Sequence, residues 1–117
     1  MTTARGITGH GALAGLALPG LGGLSEDQVR GRCCVWGADE RLTAETAVDL
    51  GPRTTHRAGY PVTWYPRGCH AHVHRAALRA LHEHAPYCEQ CVDDASGCPT
   101  GVALRRLMRE HREARPA

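Results

Sequence analysis

The 117-residue chain is poor in large apolar side chains. It has no phenylalanine, lysine or asparagine, and its one isoleucine is Ile7. Leucine, isoleucine and valine make up about 16% of the residues, and chains below roughly 20% usually cannot bury enough apolar surface to offset their conformational entropy. No apolar run is long enough for a bilayer-spanning helix. The composition therefore excludes a membrane span, a large enzyme fold and an ordinary hydrophobic domain.

Cysteine and histidine are what the chain has instead. It contains 6 cysteines and 8 histidines, most of them between Cys69 and Cys98, and a small domain with a weak core usually needs disulfides or metal. Histidines interleaved with thiols favour metal. Export would require a signal segment, and the one candidate, residues 11–21, follows a single arginine and is interrupted by glycines and Pro19. We therefore expect a cytoplasmic metal-binding protein.

The first part of the chain lacks periodicity. Residues 1–28 are rich in glycine and are predicted to form a flexible leader, which leaves residues 29–115 as a zinc-binding domain. Short strands are predicted where β-branched and aromatic residues lie between Gly and Pro. These strands are Cys33–Trp36, Thr46–Leu50 and Tyr60–Tyr65, with a polar loop over Thr54–Gly59.

Two helices are predicted in the second half. The first begins at His70 or Ala71 and ends at Ala85, before Pro86, and the second begins at Pro99 and extends to about Ala114. We expect a small α+β domain held together by metal: a short hairpin with a zinc knuckle, then two helices, in a zinc-ribbon-like or treble-clef-like arrangement.

The clearest metal-binding signal lies between the two predicted helices. Cys88 and Cys91 form a C-x-x-C pair, whose two thiolates can reach one ion from a tight turn. Cys98 directly precedes the second helix, where unpaired backbone N–H groups favour a thiolate, and His84 ends the first helix on its inward face. This C-terminal ligand set (His84, Cys88, Cys91, Cys98) predicts a closed zinc site. A redox C-x-x-C would be expected to open a helix after a strand.

A second signal is the C-x-x-H pair of Cys69 and His72, which is similar to half of a zinc knuckle. The other half is expected at Cys33 and Cys34, although Gly37 stands where a knuckle carries its second cysteine. Adjacent cysteines chelate one ion awkwardly because their side chains point to opposite faces of an extended chain. The fourth ligand of this N-terminal set (Cys33, Cys34, Cys69, His72) could instead be a water or one of three other histidines, His56, His70 or His74.

Three segments resemble a group of small uncharacterised actinobacterial proteins. They are Arg32–Trp36, Thr43–Gly51 and His84–Asp94 with Cys98, and the resemblance covers about residues 32–112. The relatives carry cysteine pairs where this chain has Cys34-x-x-Gly37 and Cys69-x-x-His72, so the resemblance implies a fold with two zinc ions. It places Cys34 at the knuckle position, which leaves Cys33 as a reserve ligand, and it implies no activity.

Nucleic-acid binding is an alternative for the last helix. Arg105, Arg109 and Arg112 share one flank and could follow phosphates, although nearby glutamates dilute the stripe. Six zinc-bound thiolates and two zinc ions would change the formal net charge from +2 to zero, and a neutral domain lacks the broad field of a DNA-binding protein. The sequence therefore favours a non-catalytic adaptor or regulatory module with a protein partner, and DNA is the second candidate.

Two further alternatives concern the metal. If the N-terminal set holds only three protein ligands, a zinc-bound water could act as the nucleophile of a hydrolase, with Asp39 or Glu40 as general base. Four thiolates from Cys88, Cys91, Cys98 and Cys69 could also hold an iron–sulfur cluster. We expect one or two zinc ions and no catalysis.

Overall fold

A computed structural model describes residues 9–112, with side chains from residue 12 onward. The chain divides into two compact units. The strand unit comprises Leu18–His70, and the helical unit comprises residues 9–17 together with residues 71–112.

Short elements dominate both units. The helices are α1 (Gly9–Ala14), α2 (Glu26–Val29), α3 (His70–His84), α4 (Glu89–Asp93) and α5 (Pro99–Glu110). The strands are β1 (Cys33–Cys34), β2 (Gly37–Arg41), β3 (Ala47–Asp49), β4 (Arg53–Arg57), β5 (Tyr60–Trp64) and β6 (Arg67–Cys69). Single turns of 3₁₀ helix cover Leu21–Gly23, Ala85–Tyr87 and Ala95–Gly97.

Three antiparallel pairs form the strand unit: β1 with β2, β3 with β6, and β4 with β5. The polar loop predicted over residues 54–59 is wrong, because most of it belongs to β4. Arg57 pairs with Tyr60, and the two residues between them both have positive φ, 52° at Ala58 and 85° at Gly59. That is the geometry of a tight two-residue hairpin turn, and alanine is an unusual residue at its first position, so the sequence signal is weak.

The β1–β2 pair contains an irregularity that matters for the site. Cys33 is paired with Arg41 and Cys34 with Gly37, so residues 38–40 have no partner in β1. Gln28, at the end of α2, is buried and its side-chain amide donates to the carbonyl oxygens of Cys34 and Val35, each at 3.2 Å. This amide therefore holds the turn that carries Cys34.

The helical unit confirms the two predicted helices within a residue or a turn. α3 runs from His70 to His84, and α5 begins at Pro99 and ends at Glu110, whereas the predicted end at Ala114 lies outside the described residues. Val73, Ala77 and Leu107 are fully buried. His74 Nδ1 lies 3.0 Å from the carbonyl oxygen of Met108, which ties α3 to α5.

Short helices and two buried leucines lie within the predicted leader. Residues 1–8 lie outside the described range, but α1 packs on α5 and the Leu16 side chain is 2% exposed. Leu21 is also buried, and Ser25 begins α2 with a capping box to Gln28. The flexibility of residues 1–28 stays a prediction.

The molecule is a small α+β protein with short antiparallel strands and several helices, as the sequence predicted. The zinc-ribbon or treble-clef arrangement stays a prediction. Among the helices between residues 9 and 112, none combines the length and the apolar character needed to cross a membrane.

We expect Gln28→Leu to destabilise the strand unit by about 1–3 kcal/mol, because it leaves two buried carbonyl groups without their donor. Trp36 and Trp64 both lie in this unit, so tryptophan fluorescence during urea unfolding reports the loss. The exposed Gln90→Leu is the matched control. Equal unfolding midpoints for both variants would show that the buried amide does not hold this turn.

Candidate metal centres

Four potential ligands converge in the helical unit, and three of them lie at helix ends. His84 is the last residue of α3, Cys88 is the N-cap of α4, and Cys98 is the N-cap of α5. Cys91 lies within α4, so the C-x-x-C pair spans the first turn of that short helix. Pro86 and Pro99 each lie in the first turn of a helical segment, where the fixed φ of proline is favourable. We call these four residues the C-terminal cluster.

Two distances in the C-terminal cluster are close to the edges of a tetrahedral zinc site. Zinc–sulfur bonds of about 2.3 Å and zinc–nitrogen bonds of about 2.0–2.1 Å imply S···S edges near 3.8 Å and N···S edges near 3.6 Å. Cys88 Sγ lies 3.7 Å from Cys98 Sγ, and His84 Nε2 lies 3.4 Å from Cys98 Sγ. All four ligand atoms lie within 4.8 Å of one another. The cluster could hold a metal ion.

Cys98 is the member of the C-terminal cluster whose surroundings favour the thiolate. The backbone N–H of Gly101 donates to its Sγ at 3.4 Å. This hydrogen bond, with His84 as the next largest cause, lowers the pKa of the Cys98 thiol to about 6 from its ordinary value of 9.0. The helix N-terminus thus favours the charged form that a metal requires, as the sequence predicted for this position.

The surroundings of Cys91 instead favour its neutral thiol. Burial, followed by the hydrogen bonds from Cys98 and Cys88, raises the pKa of its thiol to about 11. A cation between the sulfurs would remove this penalty, because it offsets the charge that burial and the neighbouring thiols disfavour. The fourth ligand atom of the cluster is a histidine nitrogen, so the described residues offer three thiols here rather than the four that a simple iron–sulfur cluster takes.

A second group lies in the strand unit, and we call Cys34, Glu40 and Cys69 the N-terminal cluster. Their ligand atoms also lie within 4.8 Å of one another. Cys69 donates its backbone N–H to Cys34 Sγ at 3.4 Å, and its own Sγ lies 3.8 Å from Glu40 Oε1. Burial raises the pKa of the Cys34 thiol to about 11, although the N–H groups of Cys69 and Trp36 favour its thiolate. This group too could hold a metal ion.

Glu40 is the member that sequence reasoning did not place among the ligands. The sequence suggests Glu40 only as a general base, and the available signal for a ligand is its position three residues after Gly37. Cys33, predicted as a ligand, is brought elsewhere: its buried Sγ lies 3.9 Å from Arg41 Nη1. A strand turns adjacent side chains to opposite faces, so Cys33 and Cys34 diverge. His72 lies in the first turn of α3, three residues after Cys69.

The remaining predicted residues are spread over both units. His74 is held by the Met108 carbonyl group, and His56 is exposed on β4. Of the three arginines predicted to contact phosphates, Arg105 on α5 is half-buried and its Nη1 donates to the carbonyl oxygen of Ala95 at 3.3 Å. Arg109 on α5 and Arg112, two residues beyond the end of that helix, are exposed. Arg105 therefore braces the loop before Cys98.

Gly101 leaves room for the C-terminal cluster, because a Cβ there would stand 3.0 Å from Cys91 Sγ. Gly→Ala inside a helix normally stabilises by about 0.5–1 kcal/mol. We expect Gly101→Ala to weaken metal binding and lower the melting temperature instead. Gly97→Ala is the control, since the nearest atom to its Cβ is 3.9 Å away. Metal affinity by chelator competition checks this, and an unchanged affinity in Gly101→Ala would refute the close contact.

Comparison with protein-family models, curated proteins and solved structures finds no match for this chain. The resemblance to actinobacterial cysteine- and histidine-rich proteins therefore stays a prediction.

Proposed function

We propose that this protein is a non-catalytic binding module whose helical unit is held together by a structural zinc ion at His84, Cys88, Cys91 and Cys98. The observation that carries the proposal is the set of sulfur–sulfur and sulfur–nitrogen distances, 3.7 and 3.4 Å. Three thiolates and one imidazole are soft ligands in a closed tetrahedral set, for which zinc is the default ion. Zinc thiolates need reduced cysteines, so we place the protein in the cytoplasm.

The loop around the C-terminal cluster supports a binding role. Tyr87, between His84 and Cys88, is 88% exposed, and Val92, directly after Cys91, is 68% exposed. A bound ion would fix the backbone of both residues, and rigid aromatic side chains on a fixed loop are favourable anchors for a partner protein. The proposed module therefore presents Tyr87 and Val92 to another protein.

DNA binding and hydrolysis have less support. Arg105 already braces the loop before Cys98, which leaves two exposed members of the predicted phosphate-binding stripe, Arg109 on α5 and Arg112 after its end. For hydrolysis, an ion needs an open position for water, and the Glu40 carboxylate lies among the ligand atoms of the N-terminal cluster. A ligand there would fill the position that the water needs.

Removal of the metal should unfold the helical unit. Structural zinc contributes apparent free energies on the order of 10 kcal/mol at neutral pH, and the apolar core is small. We expect exhaustive chelation, or Cys88→Ser or Cys91→Ser, to abolish most of the helical circular dichroism. Cys33→Ser is the matched control because Cys33 lies outside both clusters. A native spectrum after verified loss of metal would overturn the structural role.

Acid should release the zinc and unfold the helical unit, as chelation does. Because the pKa of the Cys98 thiol is lowered in the folded chain to about 6 from 9.0, the stabilisation from its thiolate is complete above pH 9 and is lost as pH falls through about 6. Zinc release and loss of helical signal should therefore become steep below about pH 6. A protein that keeps both its zinc and its helical signal well below this pH would contradict the assignment.

The partner class can be tested on the zinc-loaded protein. We expect Tyr87→Ser with Val92→Ser to abolish a saturable protein interaction while zinc content and helical signal stay unchanged. Tyr60→Ser, a change at another exposed tyrosine in the strand unit, should leave the interaction intact. Salt-dependent binding to duplex DNA that is lost in Arg109→Ala with Arg112→Ala, but not in the Tyr87 and Val92 variant, would favour the DNA alternative.

A further inference from the structure

The N-terminal cluster departs from a zinc knuckle at one position, and the structure shows what occupies that position. A knuckle places its second thiol three residues after the first, but residue 37 is glycine. A Cβ built on Gly37 would overlap Oε1 of Glu40 and would lie 3.0 Å from Cδ and 3.2 Å from Cγ of the same side chain. The carboxylate of Glu40 therefore fills the space that a side chain at residue 37 would take.

The irregular pairing of β1 and β2 explains how Glu40 reaches this space. Residues three apart on a regular strand point to opposite faces. Here residues 38–40 have no partner in β1, and such bulges redirect side chains. The bulge brings Glu40 back toward Gly37, beside Cys34 and Cys69, and Oε1 comes to 3.8 Å from Cys69 Sγ.

We propose that the N-terminal cluster is a second metal site in which the Glu40 carboxylate replaces the thiolate missing at Gly37. Its ligands are Cys34, Glu40 and Cys69, and the C-x-x-H spacing supplies His72 as the fourth. The 3.8 Å separation is close to the edge of about 3.6 Å expected between a sulfur and an oxygen bound to one zinc ion.

This ligand set has a consequence for the ion it takes. Two thiolates, one carboxylate and one imidazole are harder ligands than the three thiolates and imidazole of the C-terminal cluster. The carboxylate is also on an exposed residue. The second site therefore takes a borderline divalent cation, zinc or cobalt, and it releases that cation to a chelator before the C-terminal cluster does.

Zinc stoichiometry and chelator competition on the full chain test the assignment. We expect two ions per wild-type chain and a loss of affinity for the weaker ion of at least about tenfold in Glu40→Gln, since outer-shell partners alone are worth 10- to 100-fold. Asp39→Asn is the matched control, an adjacent exposed acid outside the cluster. Equal affinities for the weaker ion in wild type, Glu40→Gln and Asp39→Asn would overturn the role of Glu40.

A thiol rescue provides a second readout. In the Glu40→Ala background, Gly37→Cys should restore the second ion, because the space is then open and the knuckle has its usual thiol. With cobalt as the probe, the rescued double variant should show stronger thiolate-to-cobalt charge-transfer absorption per chain than the wild type. Cobalt binding without that increase would show that residue 37 does not adjoin the ion.

The second metal site deepens the proposed function. Experiment can reject either the second site or the zinc site at the C-terminal cluster without rejecting the other. Suppose that the wild type binds one ion, which is lost in Cys88→Ser and kept in Cys69→Ser. This result would reject the second site and leave the proposed site at the C-terminal cluster. If the single ion is instead lost in Cys69→Ser and kept in Cys88→Ser, the site at the C-terminal cluster is rejected and the second site is retained. Circular dichroism on the same samples shows whether Glu40→Gln, a change at an exposed residue, retains the fold.

Discussion

The sulfur of Cys98 connects three helices of the helical unit at one point. It caps α5 by accepting the Gly101 N–H, and it lies within 3.7 Å of ligand atoms at the end of α3 and the start of α4. A chain with about 16% leucine, isoleucine and valine cannot hold three helix ends together by apolar contact alone. The thiolate supplies a directional contact where the three helix ends meet, and a cation would turn mutual repulsion among the sulfurs into attraction.

The two clusters differ in how the chain brings their ligands together. His84 and Cys98 are 14 residues apart, whereas Cys34 and Cys69 are 35 apart. Loop-closure entropy grows only with the logarithm of length, so this difference costs less than about 1 kcal/mol. If both clusters hold an ion, the chemistry of the ligands would therefore outweigh their separation, and the exchange of one thiolate for a carboxylate would set the order in which the clusters lose that ion.

The sequence predicted those features that depend on local spacing. Helices α3 and α5 follow from apolar periodicity and from the prolines beside them, and the C-x-x-C pair with Cys98 lies within one short loop. Glu40 could not be found in this way, because a strand with regular alternation would turn it away from Cys34. Its recruitment depends on a bulge of three residues opposite β1, and bulges leave no periodic trace in the sequence.

The glycine at residue 37 and the position of the Glu40 carboxylate are sterically linked. The carboxylate occupies the volume next to Gly37, so a side chain at 37 and a ligand from 40 exclude each other unless one of them moves. The thiol of Cys33 lies 3.9 Å from Arg41 Nη1, outside both clusters. Adjacent cysteines therefore take different roles, and Cys33 acts as a small buried apolar residue.

The net charge of the chain also bears on what the proposed module would recognise. With Cys33 outside the clusters, five thiolates and two divalent ions would change the formal net charge from +2 to +1. A chain so close to neutral has little long-range field to attract a polyanion. Recognition would instead depend on short-range burial of apolar surface, and Tyr87 and Val92 offer that surface beside the C-terminal cluster. The ion that holds the helices together would thereby also fix the shape of the surface that meets a partner.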